Sequence, residues 1–353
     1  MKRTELISCL KLVEPALSGK DLIPVFSCFC FNGKTVSAYD DIVALQHALP
    51  FEVKGGIRGR LLLGFLTASR AQDVAVEQEG QQVTLRLGRS KFDTTALPET
   101  DFAFVFPKEA HAAGQVPVTK ALLQAMGKAQ CSMGSDPTHP WRMGVTLVSG
   151  KKGLTLYSSD NRSATRVFVA GATMDGVKAV VLPPRFCEML LTFSKATKPD
   201  TLLVGDAWVQ VRFGGGSLRL FSRTTGKADA SSYEQVFSSA LKDDVTFADV
   251  PKGLQHCLER AAAVLPFSKD PYSRLRAKDN KLILSTESSA GNVRDVITLD
   301  GIYKCDELVS PTLLGRMLSY ANQFAVVSGS CIVLKGERFL HLVSTMQEKT
   351  IEE

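Results

Sequence analysis

Asp40-Asp41 and Asp243-Asp244 are adjacent carboxylates, the pairs in this chain that could serve as general acid and base in cutting a phosphodiester. Each stands at a strand end or in a linker, where a solvated turn is the commoner fate, so nuclease chemistry is disfavoured. The five histidines, at 47, 111, 139, 256 and 341, share no metal spacing with cysteine or carboxylate partners. Gly214 to Gly216 falls between alternating strands and reads as a hairpin turn, and no GxxxxGK[ST] phosphate loop occurs. Eight cysteines, at 9, 28, 30, 131, 187, 257, 305 and 331, form no CxxC pair and lie mostly in apolar runs, the pattern of reduced core thiols. The chain therefore reads as a non-enzyme with no metal and no cofactor.

The elements that would position any site repeat three times. Turns at Asn32-Gly33, Ser149 to Gly153 and Asp279-Asn280 keep step with turns at Glu79-Gly80, Gly205-Asp206 and Ser328-Gly329. A third series, at Gly88, Gly214 and Gly336, is spaced by 126 and then 122 residues. Each copy runs helix, hairpin, helix, hairpin pair. Apolar stripes mark the helices: Leu6, Leu10 and Val13; Phe186, Met189, Leu190 and Phe193 after Pro183-Pro184; Leu254, Cys257, Leu258 and Ala261. Alternating segments such as Val83, Leu85 and Leu87 mark the strands. The expected fold is α+β: three tandem domains, 1–113, 114–243 and 244–353, each with two helices covering one face of an antiparallel sheet.

At 353 residues, 44% hydrophobic and 22% charged, the composition is that of a globular protein. No stretch reaches the roughly 18 apolar residues of a membrane span, and the N-terminus carries charges where a signal peptide needs an apolar core, so a cytoplasmic location is expected. Charge is unevenly placed. The six expected helices and their lead-ins hold fifteen Lys and Arg against Glu5, Glu14, Glu188 and Glu259, a balance of +11 in a chain whose net charge is +6. If the helices share one side, that side is a positive wall suited to a phosphate backbone. The bland alternative is a set of solvated helix faces.

The stretch GRSKFDTTALPETDF, Gly88 to Phe102, resembles the end of the first domain of the bacterial beta sliding clamp, the processivity subunit of DNA polymerase III. Lys20 to Phe31, SAYDD (Ser37 to Asp41), YSSDN (Tyr157 to Asn161), Lys178 to Leu191 and Phe339 to Met346 match the same family in order along the chain. The resemblance implies a head-to-tail homodimer with six domains in a ring, helices lining the hole around double-stranded DNA. It also implies DNA polymerase and an ATP-dependent clamp loader as partners. Such rings hold DNA by topology and read no base edges.

The resemblance places a DNA contact at Lys20 and puts Trp141 and Arg142 in a loop near single-stranded template, and the charge on the expected helices and their lead-ins adds Arg70, Lys120, Lys128, Arg185, Lys195, Lys198 and Lys252. A packed surface tryptophan is the equal alternative for Trp141. The dimer contact falls on Phe92 and Thr94 of the first domain and Val264 and Leu265 of the third; Thr94 departs from the family's large aliphatic residue, and Phe92, Val264 and Leu265 also read as ordinary core. The partner-peptide groove takes Ser159, Asp160, Asn161, Tyr233, Gln235, Val236, Leu342, Val343 and Met346. Here the chain departs from the family: Asn161-Arg162-Ser163-Ala164 stands for Gly-His-Arg-Leu, Ser231 to Glu234 for Pro-Asp-Tyr-Arg, and Ser344 to Gln347 for Met-Pro-Met-Arg. A monomeric clamp-like adaptor that never encircles DNA is the other reading.

Overall fold

The computed structural model describes residues 1–19, 23–102, 104–134, 136, 138–224, 228–241, 245–265, 272–289, 291–299 and 305–346. Seven α-helices occur among them: α1 (Arg3–Val13), α2 (Gly59–Ala68), α3 (Lys120–Ala129), α4 (Pro184–Phe193), α5 (Ala230–Ala240), α6 (Leu254–Val264) and α7 (Pro311–Leu318). Six stand where the periodicity puts them. Their buried stripes are those read from the sequence, for example Leu6, Leu10 and Val13 on α1 and Leu254, Cys257, Leu258 and Ala261 on α6. Side-chain caps open α3 at Thr119 and α7 at Ser310, each accepting a backbone N–H that the first turn cannot satisfy. None of the described helices is long and apolar enough to cross a membrane.

The described chain packs as two compact units. The first comprises residues 1–118, 174–177 and 185–224, and the second 119–173, 178–184 and 225–353. Each unit is built on one large antiparallel sheet and one small one. In the first unit the strands Cys28–Tyr39, Val43–Arg58, Leu218–Arg223, Trp208–Phe213, Pro199–Val204 and Gly114–Pro117 pair in that order, and Ala75–Glu79, Gln82–Leu87 and Ser90–Thr95 form the small sheet. In the second, Ala179–Leu182, Val145–Gly150, Gly153–Ser159, Ser163–Ala170, Phe339–Ser344, Cys331–Gly336, Gln323–Val327 and Ala248–Asp249 line up. The small sheet there orders Gly291–Thr298, Lys281–Ser288, Ser273–Lys278 and Cys305–Val309. Both large sheets thus join strands from two successive repeats by continuous backbone pairing.

The turns expected from the sequence close their hairpins. Asp279 and Asn280 take φ of 51° and 55°, the left-handed pair that a two-residue hairpin needs. At Asn32-Gly33 the reversal lies inside a continuous run of extended residues. Gly33 has φ 61°, and Ser37 Oγ donates to the Cys30 carbonyl at 3.3 Å, whereas an unbroken strand would hold those residues about 23 Å apart. Pairing with Val43–Arg58 accordingly jumps from Gly33↔Val53 to Thr35↔Ala48. The cysteines are free; Cys28, Cys30, Cys187, Cys257 and Cys331 are buried, and burial pushes the Cys30 thiol up to about 12.

Candidate partner-binding site and nucleic-acid interface

The same turn is built in both large sheets. Asp160 Oδ1 accepts from the backbone N–H groups of Arg162 (3.0 Å) and Ser163 (2.7 Å), and Asn161 adopts φ 71°. Asp40 Oδ1 accepts from Ile42 (3.1 Å) and Val43 (2.9 Å), and Asp41 adopts φ 79°. A short polar side chain that satisfies two backbone donors and tolerates positive φ explains Asp-Asp and Asp-Asn at these places. The remaining oxygen of Asp40, Oδ2, accepts from Arg185 Nε at 2.7 Å. Its capacity is used structurally, and no metal-holding cluster occurs among the described residues. Asp243 and Asp244 lie outside them.

Register carries the equivalence across the sheets. Ser159 faces Ala164, which faces Leu342; in the first unit Tyr39 faces Ala44, which faces Phe221. The first trio is filled from its own chain. Phe104 stacks on Tyr39 at 4.9 Å and contacts Phe221 at 4.4 Å, with Phe106 and Trp208 packed around them. The second trio carries smaller side chains and is approached by α5. Tyr233 stacks on Tyr157 (5.1 Å), meets Trp141 edge-on (4.8 Å) and donates to the Trp141 carbonyl (3.1 Å). Burial pushes the Tyr233 hydroxyl up to about 12. On the flank of α5 that remains outside, Gln235 is exposed and Val236 is 38% exposed.

No protein-family model matches the chain. The beta sliding clamp of Streptomyces coelicolor is 25% identical over 266 residues, covering 72% of this chain and 68% of that protein. A putative DNA polymerase III beta subunit from Eubacterium rectale superposes with TM-score 0.83 at 14% identity, covering 98% of both chains. The DNA polymerase sliding clamp of Pseudomonas aeruginosa does so with TM-score 0.82 at 17% identity, again over 98% of each. This chain has the sliding-clamp fold. The likeness read from Gly88 to Phe102 and the motifs after it extends over the whole clamp.

Within this clamp fold the nine groove residues divide. Tyr233 (0% exposed), Leu342 (5%) and Val343 (0%) are buried support, whereas Asn161, Gln235, Val236 and Met346 reach the surface. The closing strand is stitched to the Asp160 turn, since Ser344 N and Oγ both donate to the Arg162 carbonyl (2.8 and 3.0 Å). Behind the turn runs a buried polar chain: Asp160 Oδ1 accepts from Ser163 Oγ (2.9 Å), which with its one hydrogen so used accepts from Ser132 Oγ (3.0 Å). Ser132 meets Thr165 Oγ1 at 2.8 Å, and Thr165 meets His341 Nδ1 at 2.9 Å. Sequence reading passed over His341, Ser132 and α5.

Burial pushes the His341 imidazole down from 6.5 to about 4. The unfolded chain therefore takes up this proton first as pH falls, so the stability held by neutral His341 is complete above about pH 6.5 and is lost progressively toward pH 4. The loss should reach about 3 kcal/mol by pH 4. Urea unfolding from pH 7 to pH 4 should show a wild-type decline that His341→Asn flattens by that amount; parallel declines would remove this role.

The expected DNA-contact residues meet different environments. Arg70, Lys120, Lys195, Lys198 and Lys252 are exposed. Arg185 is instead tied to Asp40 and to the Pro15 carbonyl (2.6 Å), and Lys128 Nζ lies 4.9 Å from the Tyr320 ring centre. Trp141 is half-buried against Tyr233, with the Arg142 guanidinium 4.5 Å over its ring. Lys20 lies outside the described residues. Of the expected dimer residues, Phe92 stacks on Phe65 at 5.1 Å and Thr94 is half-buried, both on the edge strand Ser90–Thr95. Val264 is half-buried, but Leu265 is 5% exposed and belongs to the core. Leu61, 57% exposed on α2, was missed because GRLLLGFL is apolar on more than one face.

Proposed function

We propose that this chain is a DNA polymerase processivity factor: a head-to-tail homodimer whose six domains, 1–113, 114–243 and 244–353 in each copy, encircle duplex DNA in the cytoplasm. The observation that carries the reading is a sliding-clamp fold over 98% of the chain in which, among the described residues, Ser90–Thr95 and Gly291–Thr298 are open sheet edges in the first and last repeats. Open edges are templates for pairing with another chain. Exposed Arg70, Lys120, Lys195, Lys198 and Lys252 supply a sequence-independent attraction for phosphates that permits sliding. A polymerase held on such a ring rebinds at high effective concentration, and its processivity rises without any catalytic step by the clamp. The dock for polymerase and loader peptides takes the surface residues Asn161, Gln235, Val236 and Met346, above a core in which Tyr233 and Phe237 of α5 pack with Ala164 and Leu342.

Loading onto nicked circular DNA by a clamp loader, followed by gel filtration, tests this. A ring stays with the circle in high salt and is released when the circle is linearised. Equal, salt-sensitive binding to circle and linear DNA would favour the monomeric adaptor instead.

A further inference from the structure

On the face of the second unit's large sheet that α5 packs against, Lys335, Leu340, Arg166 and Tyr157 stand side by side on successive strands, as their register requires. Two depressions meet at Leu340. One, about 240 Å³, is lined by Tyr157, Arg166, Phe168, Glu234 and Arg338; the other, about 280 Å³, is lined by Leu241, Val245, Phe247 and Lys335. Three cations thus flank an apolar floor that holds one carboxylate. Glu234 is engaged on both sides, accepting from the Tyr157 hydroxyl and pairing with Arg166 NH1 at 3.3 Å. Lys335 Nζ sits 4.7 Å over the Phe247 ring, and Arg338 is exposed with φ 53°.

The repeat supplies an internal control. At the positions of Tyr157, Arg166 and Leu340 the first unit has Ser37, Gln46 and Arg219, and the cation at the position of Lys335, Arg212, is neutralised by Glu109 at 3.0 Å. The apolar positions Tyr157 and Leu340, set beside cations, are therefore a property of this one surface and not a by-product of the fold.

We propose that this strip is a second docking surface, separate from the Val236 flank of α5, for an extended acidic peptide bearing aromatic or aliphatic side chains. Carboxylates pair with Arg338, Arg166 and Lys335, and the apolar side chains fill the floor at Leu340 and Phe247. Phosphodiester backbone has no apolar group to offer that floor, which favours peptide over nucleic acid. The proposal does not depend on ring closure.

The test uses the full chain and a fluorescein-labelled synthetic peptide, Glu-Asp-Phe-Asp-Leu-Leu, followed by anisotropy. Saturable binding that weakens with added salt is expected, together with a loss of about tenfold or more in Arg338→Glu and in Lys335→Glu. Lysine in place of the peptide's acids should abolish binding. No saturable binding, unchanged affinity in both variants, an equal loss in Val236→Asp, or displacement by duplex DNA would each overturn the proposal. Retention on circular DNA would stand in any of those cases.

Discussion

Truncating Tyr233 to alanine should lower the unfolding free energy by about 3–5 kcal/mol, the range for deleting a fully buried aromatic ring. The side chain is 0% exposed and fixes α5 through three contacts: the Tyr157 ring, the Trp141 ring and the Trp141 carbonyl. An eleven-residue helix has little stability of its own, so α5 depends on Tyr233 and Phe237 to stay docked. Tyr233→Phe keeps the ring and loses one hydrogen bond, a cost of about 1 kcal/mol. Urea denaturation of the two variants measures both figures, and hydrogen exchange across Ala230–Ala240 should quicken in the alanine variant alone. Equal costs for the two substitutions would mean that the hydroxyl, not ring packing, holds the helix. Because Gln235 and Val236 ride on α5, the alanine variant should also lose the peptide dock that we propose.

What could be read in the chain beforehand follows from the range of the forces involved. Hairpin turns and helix stripes are local, and Asp279-Asn280, Lys151-Lys152 and the Pro184 helix start fall where periodicity and turn chemistry put them. The Asp40 and Asp160 turns were equally legible, because their hydrogen bonds close within three residues. Arg185 was not, since its partner Asp40 is 145 residues away and a helix position alone sends the guanidinium toward DNA. Helix α5 was missed although Asp229 caps it and Tyr233, Phe237 and Ala240 recur at i, i+4 and i+7. Four serines and little apolar bulk leave ASSYEQVFSSA without the strong apolar stripe that marks the other helices. Among the residues expected in the groove, sequence did not show the division between buried Leu342 and Val343 and reachable Val236 and Met346, which only packing decides.

Leu61→Asp should turn a dimer of twice 38.3 kDa into a 38.3 kDa monomer in sedimentation at micromolar concentration. Leu61 is 57% exposed on α2, one turn from Phe65, which stacks on Phe92 of the Ser90–Thr95 edge. Together they form an apolar patch beside unpaired backbone, the combination that a second chain can cover. On the opposite end of the chain the Gly291–Thr298 edge exposes Val296 at 53% and alternates charge at Arg294 and Asp295, as Lys91 and Asp93 do on the first edge. A buried carboxylate without a partner at such a centre weakens association about a hundredfold or more. The monomer itself should keep most of its stability, because Leu61 is already more than half exposed. That separates Leu61 from Leu265, whose 5% exposure means that an aspartate there would damage folding before it reported on assembly. Thr94→Cys combined with Val296→Cys then addresses the pairing of edges directly: oxidation should give a species of doubled mass from the two-site variant, and a chain that cross-links only at random, or stays monomeric in wild-type form, would leave the two edges without each other.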